Sequence, residues 1–304
     1  MRNLICCIIT VVSFLQNQLH LDAQPSKQSF EKINIDGTSR TYILYLPTDY
    51  SAVKNNSLVI ALHGKGGTGL GMERLSGFES IAEKEKFIVV YPNGIDRSWN
   101  DGRNTKAHEA GINDVAFIKN LIDEIIIKYN VDKHKVYVTG MSNGAFMSMK
   151  LACELSGKIA AIAAVAGTMD TVSASICQPS LPVSVMLIQG TSDPLVPFEG
   201  GELKSKAAGT ILSHKETIKH WVKINNCTSS PVTISLPDSA NDGTTITKTT
   251  YKNESNNTEV ISIIVANGGH TWPGGYGYLP ERWIGITSRN MNASEEIWSF
   301  FKRH

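Results

Sequence analysis

Apolar positions along the chain switch repeatedly between two periods. TYILYLP (Thr41 to Pro47) alternates as a strand does, and SLVIALH (Ser57 to His63) is an unbroken apolar run of strand length. FESIAEKEK (Phe78 to Lys86) reads as a helix, and FIVVYPNG (Phe87 to Gly94) as a buried strand closed by turn residues. Val115, Ile118, Leu121, Ile122 and Ile125 recur at helical spacing, predicting a helix over 114–129 with Asn113 or Asp114 as its cap. KVYVTG (Lys135 to Gly140) is a strand followed by the apolar helix AFMSMKLACEL. IAAIAAVAG (Ile159 to Gly167) is ambiguous by period but has the length and position of a strand, and PVSVMLIQG (Pro182 to Gly190) is a clear one.

Further along, Ile211, Ile218, Trp221 and Val222 mark a helix, on which His214 and His220 are expected to be solvated. VISIIVANGG (Val260 to Gly269) is the last strand, and NASEEIWSFFKR the closing helix, with Asn292 and Glu295 spaced as a capping box. Strands alternating with helices predict one α/β domain over 24–304, a mainly parallel sheet covered on both faces. The polar stretches around 95–113 and 228–259 are expected as loops or hairpins laid on that core.

Residues 1–23 carry a different pattern. Arg2 precedes the apolar run Leu4 to Leu15, and LDA (Leu21 to Ala23) suits a cleavage site, which together describe a signal peptide and an exported, secreted or periplasmic protein. The run is shorter than the roughly 20 residues a membrane span needs, although an uncleaved anchor is the competing reading. With 29 Lys+Arg against 28 Asp+Glu, nothing in the charge calls for nucleic acid or an anionic membrane. Cys153, Cys177 and Cys227 lie beyond the leader, an odd number whose pairing the spacing leaves open. Neither a metal-ligand spacing nor a cofactor motif emerges.

The chemistry centres on GMSNG (Gly140 to Gly144), a G-x-S-x-G set between a predicted strand and a predicted helix, as a nucleophile elbow requires. A serine of ordinary acidity needs a base, and the base an orienting acid, in the chain order Ser, Asp or Glu, His. Asp193 follows one strand and His270 another, each at a strand C-terminus where sites on open α/β sheets lie. Asp96, Asp101 and Asp114 precede Ser142 and fail on order, while Asp170 is a second choice for the acid.

Gly64, Gly66 and Gly69 form a G-x-G-x-x-G after the strand ending at His63. A dinucleotide site would want an acid at the end of the next strand, but that strand ends in Tyr91 and Pro92. The loop is instead expected to serve an oxyanion. Lys65 N–H, or its neighbour Gly66, would act with Asn143 N–H after the nucleophile. Trp99, Trp272 and Phe198 are the candidates for the substrate's surroundings, with packing of the long loop an equal reading for Trp99.

LHGKGG, SWNDG, GMSNG, GTSDPLVPFEGG and GGHTWPGG resemble the signatures of the secreted polyhydroxybutyrate depolymerase and feruloyl esterase group of α/β-hydrolases, which includes carbohydrate esterase family 1. The resemblance implies an α/β-hydrolase fold and an esterase with Ser142 as nucleophile, Asp193 as acid and His270 as base. It implies a small or oligomeric ester as substrate, either a feruloyl or acetyl ester of plant polysaccharide or a hydroxyalkanoate. Many relatives pair a cysteine near the position of Cys227 with one before the last strand, where YKNESNNTEV has none. A peptidase of the same fold and a carbohydrate-binding protein that has lost catalysis are the rival readings.

Overall fold

The computed structural model describes residues 27–304 apart from 36, 54 and 204–208, so the expected signal peptide lies outside the described residues. Ten strands form one sheet: β1 (Lys27–Ile35), β2 (Thr38–Leu46), β3 (Asn56–Leu62), β4 (Ile88–Pro92), β5 (Val131–Met141), β6 (Ala161–Val165), β7 (Ser184–Gly190), β10 (Val232–Ser235), β11 (Thr245–Asn253) and β12 (Thr258–Ala266). A separate short pair joins β8 (Gly201–Glu202) to β9 (Thr210–Ile211). The order across the sheet is β1-β2-β4-β3-β5-β6-β7-β12-β11-β10. β4, β3, β5, β6, β7 and β12 run parallel, and antiparallel strands extend both edges.

Parallel strands covered on both faces read as continuous apolar runs, and their alternate residues feed two cores. Leu58, Ile60 and Leu62 of β3 pack on one side with α4 (Asp114–Tyr129), α5 (Asn143–Glu154) and α7 (His214–Ile224). Val59 and Ala61 point the other way, toward α1 (Gly69–Ser76), α2 (Phe78–Glu85) and α9 (Ala293–Phe301). Short helices α3 (Lys106–Glu109), α6 (Thr171–Ile176) and α8 (Glu281–Ile284) sit in the connections. No described helix is long and apolar enough to cross a membrane.

Where the pattern is strong, the elements fall within about four residues of their expected bounds. Asn113 caps α4 by accepting Ala116 N–H, and Asn292 caps α9 by accepting the N–H groups of Ser294 and Glu295. Four differences stand out. The stretch 228–259 is no appendage: β10 and β11 extend the main sheet, their polar residues facing solvent. β1 adds the opposite edge. The glycine-rich loop becomes helix at Gly69, capped by Thr68 in spite of two glycines. Ile211 belongs to β9 rather than to the helix α7.

Cys153 and Cys177 form a disulfide with Cα atoms 5.2 Å apart, tying α5 to the segment after α6, and Cys227 is a free thiol. Burial pushes the Cys227 thiol pKa up, which makes it a poor nucleophile.

Candidate active site

β5 delivers the chain into Ser142 at φ 56°, ψ −118°, and α5 starts at the next residue. A left-handed φ is costly for serine and persists only where the surroundings impose it. Here the turn is so tight that a β-carbon on Gly140 would fall 2.4 Å from Gly144 O, and one on Gly144 would fall 2.2 Å from Leu62 O. Ser142 N–H donates to Val165 O at 2.9 Å, fastening the elbow to β6. Ser142 is half-buried at the carboxyl edge of the sheet.

Asp193 and His270 stand beyond the ends of the neighbouring strands β7 and β12. The imidazole Nδ1 lies 2.8 Å from Asp193 Oδ2, with both side chains buried. Asp193 Oδ1 accepts Leu195 N–H and Val196 N–H, each at 2.8 Å, so the carboxylate is satisfied on both oxygens. This fixes the tautomer of the neutral ring: Nδ1–H donates to the carboxylate, so the lone pair is on Nε2. Among the described hydrogen bonds, none joins Ser142 Oγ to His270. Tyr278 Oη–H donates to His270 O at 2.9 Å; burial, then the Asp193 charge, raise the phenol's pKa.

The loop after β3 flanks the serine, since a β-carbon on Gly64 would sit 3.5 Å from Ser142 Cβ. Gly66 N–H donates to Arg97 O at 2.7 Å, which removes it as an oxyanion donor. Lys65 N–H and Asn143 N–H have no internal acceptor among the described residues, and Asn143 also brings the positive end of the 12-residue helix α5.

His63 holds this loop. Gly94 N–H donates to His63 Nε2 at 3.0 Å, leaving Nδ1–H for Gly64 O at 2.8 Å. Desolvation lowers the His63 pKa and keeps the ring neutral, as that pair of bonds requires.

Asp170, the second candidate for the acid, caps α6, its Oδ1 accepting Ser173 N–H at 2.8 Å, while His270 meets Asp193 instead. Of the three residues expected around the substrate, Trp99 and Trp272 turn inward and Phe198 is half-buried. Trp99 has 0% exposure, donates Nε1–H to His63 O at 2.8 Å and packs on the His63 ring at 4.9 Å. Trp272, 1% exposed, donates to Ser294 Oγ at 3.0 Å and meets Phe78 edge-on. Phe198 stacks on the His214 ring at 5.0 Å. Each buried indole removes a large apolar area from water, and its N–H finds an acceptor inside. His214, expected to be solvated, is also buried.

Sequence reasoning missed two sets of residues. The Asn143 side chain, 2% exposed, accepts from Trp99 N–H at 2.8 Å and donates to Trp99 O at 3.1 Å and Asp101 Oδ2 at 2.6 Å. Asp101 in turn pairs with Arg103, whose guanidinium lies 3.7 Å over the Phe146 ring. The SWND segment is therefore bolted to the elbow helix, a role its four polar and aromatic residues hint at but do not specify. The second set is apolar and exposed. Leu195, Tyr276, Leu279 and Trp283 lie on the acid turn and on the strap that surrounds His270. That strap begins beside Leu75, where a β-carbon on Gly275 would fall 2.8 Å from Leu75 O. It ends with Ile284 O accepting His270 N–H and with Gly285 against Ser192.

A strained serine elbow at the edge of a parallel sheet, with an acid and a histidine on later strands, defines the α/β-hydrolase class. The family described as phospholipase/carboxylesterase matches residues 48–223, and the chain belongs to it. Over 282 residues the chain is 30% identical to a Nocardia uniformis subsp. tsuyamanensis protein named as an esterase, NocK, covering 88% of this chain and 81% of that one. Feruloyl esterase C of Emericella nidulans is 29% identical over 238 residues, 76% of each chain. Among solved structures, the acetyl xylan esterase from Aspergillus awamori superposes with a TM-score of 0.61 over 91% of this chain and all of that one, at 19% identity, a likeness of fold. The chain is an enzyme, an esterase of the α/β-hydrolase fold.

Proposed function

We propose that this esterase is an exported serine hydrolase that cleaves feruloyl or acetyl esters of plant polysaccharide, with Ser142, His270 and Asp193 as its triad. The supporting observation is the Asp193–His270 contact of 2.8 Å, with the carboxylate pinned by two backbone N–H groups beyond the strand next to β12. His270 Nε2 takes the Ser142 proton as Oγ bonds to the ester carbonyl carbon. The negative charge moves to the carbonyl oxygen, where Lys65 N–H and Asn143 N–H donate to it. Collapse breaks the bond to the alcohol oxygen, which leaves with the proton from His270. Water, deprotonated by the same nitrogen, then attacks the acyl-serine and releases the acid. A buried carboxylate behind Nδ1 stabilises the imidazolium formed in both steps.

The polysaccharide side of the reading rests on the relatives named for feruloyl ester cleavage. A competition tests it: purified protein is offered methyl ferulate, acetylated xylo-oligosaccharide and a soluble 3-hydroxybutyrate oligomer together, and the released acids are separated by chromatography. Ferulate or acetate release in preference supports the reading. Hydroxybutyrate release in preference replaces it with a polyester-oligomer hydrolase, and release of none overturns the substrate assignment. Recovery outside the cytoplasm of a chain beginning at Gln24 is the expected sign of export, and an intact residue 1–23 segment on the cellular protein contradicts it.

A further inference from the structure

Behind the acid turn lies a buried polar chain that catalysis as described leaves unused. His214, the first residue of α7, is 2% exposed, and Gln189, near the end of β7, is 1% exposed. Gln189 Nε2–H donates to Val196 O at 3.1 Å, so the Gln189 Oε1 that faces His214 at 3.3 Å must accept. His214 Nδ1 therefore carries the proton, and Nε2 accepts from the Ser262 hydroxyl at 2.7 Å. Each side-chain nitrogen and oxygen of Gln189 and His214 is thus used, in one direction along the chain. Burial pushes the His214 pKa down to about 3, so the ring keeps this pattern at any working pH.

The far end of the chain is the acid. Val196, whose carbonyl Gln189 holds, gives its N–H to Asp193 Oδ1 at 2.8 Å. Two residues on, Phe198 O accepts His214 N–H at 2.9 Å, and the Phe198 ring stacks on the imidazole. Val196 itself packs in a small apolar cluster with Phe146 of the nucleophile helix. The turn from Asp193 to Phe198 thus has three anchors, and two of them run through His214 and Gln189. Polar groups buried this deep cost free energy that apolar packing would not. Only a fully paired, directional network specifies a geometry in return.

We propose that His214 is a positioning residue: through Gln189 and Phe198 it fixes the Asp193–Phe198 turn so that the carboxylate meets His270 squarely. This rests on the proposed triad, but one readout does not. The far-downfield proton resonance of His270 Nδ1–H reports the bond to Asp193 whether or not Ser142 is the nucleophile.

The experiment compares wild type with His214→Leu, Gln189→Met and His214→Asn, the last keeping a donor for Gln189. Active sites are titrated with a fluorophosphonate, and kcat and KM are measured on a chromogenic acetate ester. His214→Leu and Gln189→Met are expected to lower kcat per titrated site by about 10- to 100-fold while KM changes little, the scale of a misplaced catalytic group. Both should broaden or lose the Nδ1 resonance, and His214→Asn should restore most of each. If both apolar variants keep kcat per titrated site and the resonance, and only melt at lower temperature, the network is merely structural and the proposal falls. A wild type that shows the resonance but reacts with no ester sinks the esterase mechanism and leaves the positioning intact.

Discussion

The segment from Gly94 to Arg103 and the strap from Gly275 to Gly285 both border the proposed site, and each carries a tryptophan. They use it in opposite ways. Trp99 is wholly buried with its N–H bound to His63 O, whereas Trp283 is 55% exposed on a four-residue helix. The first segment is closed onto the elbow through Asn143, Asp101 and Arg103, whose side chains are spent on internal bonds. The strap grips His270 by its backbone but leaves Tyr276, Leu279 and Trp283 facing water. Rigid hydrogen bonding suits the part that holds the glycine-rich loop and the serine. Unspent apolar surface is what a part contacting substrate would present, and the strap has it.

The sharpest break of that comparison is at the serine that the first segment braces. Ser142→Ala should cost on the order of 10⁶ in ester turnover without lowering the melting temperature, as read by acid release and calorimetry. Retention of most activity would remove the elbow, and with it the reason for the bracing. Next is Trp99→Ala, which leaves a large cavity and orphans His63 O. A loss of about 3–5 kcal/mol in denaturant unfolding is expected, and a change within experimental error would mean that the segment is not closed at all.

A third effect comes from pH. His214 stays neutral in the folded chain down to about pH 3 but takes a proton near its ordinary 6.5 once unfolded. Stability contributed by the neutral ring is complete above about pH 6.5. It falls as pH drops, by up to about 1.4 kcal/mol per unit, until the folded-state value is reached. Urea unfolding of wild type between pH 7 and pH 4 should show this slope, and His214→Leu should reduce it, the lowered pKa values of His63 and His220 leaving a remainder; equal slopes would contradict a buried neutral ring. The smallest effect is expected at Trp283→Ala, with stability changed by less than about 0.5 kcal/mol. KM for an ester of a bulky alcohol should rise instead, by the roughly 2- to 10-fold that one aromatic contact of about 0.5–1.5 kcal/mol supplies. An unchanged KM across alcohols would make the strap inert.

Much of this was legible in the residues, because short-range rules govern it. The unbroken apolar run of β3, the helical spacing of α4 and the strand–GMSNG–helix order each follow from burial on two faces, on one stripe, or from a turn only glycine permits. Asp193 and His270 could be nominated because each follows a strand in the required order, and the fold sets them 2.8 Å apart. What pattern could not supply was how the aromatic residues are partnered. Trp99, Trp272 and Phe198 are surrounded by turn residues in sequence, and their partners His63, Ser294 and His214 belong to other segments of the chain.

Local sequence thus determined the strand and helix order, the strained serine and the chain order of acid and histidine, since each depends on near neighbours. Only the tertiary structure decided that β10 and β11 widen the sheet, that Cys153 bonds Cys177, and that His214 is a buried link to the acid turn. Those outcomes depend on contacts between distant segments, whose geometry exists only once the whole sheet has closed the space between them.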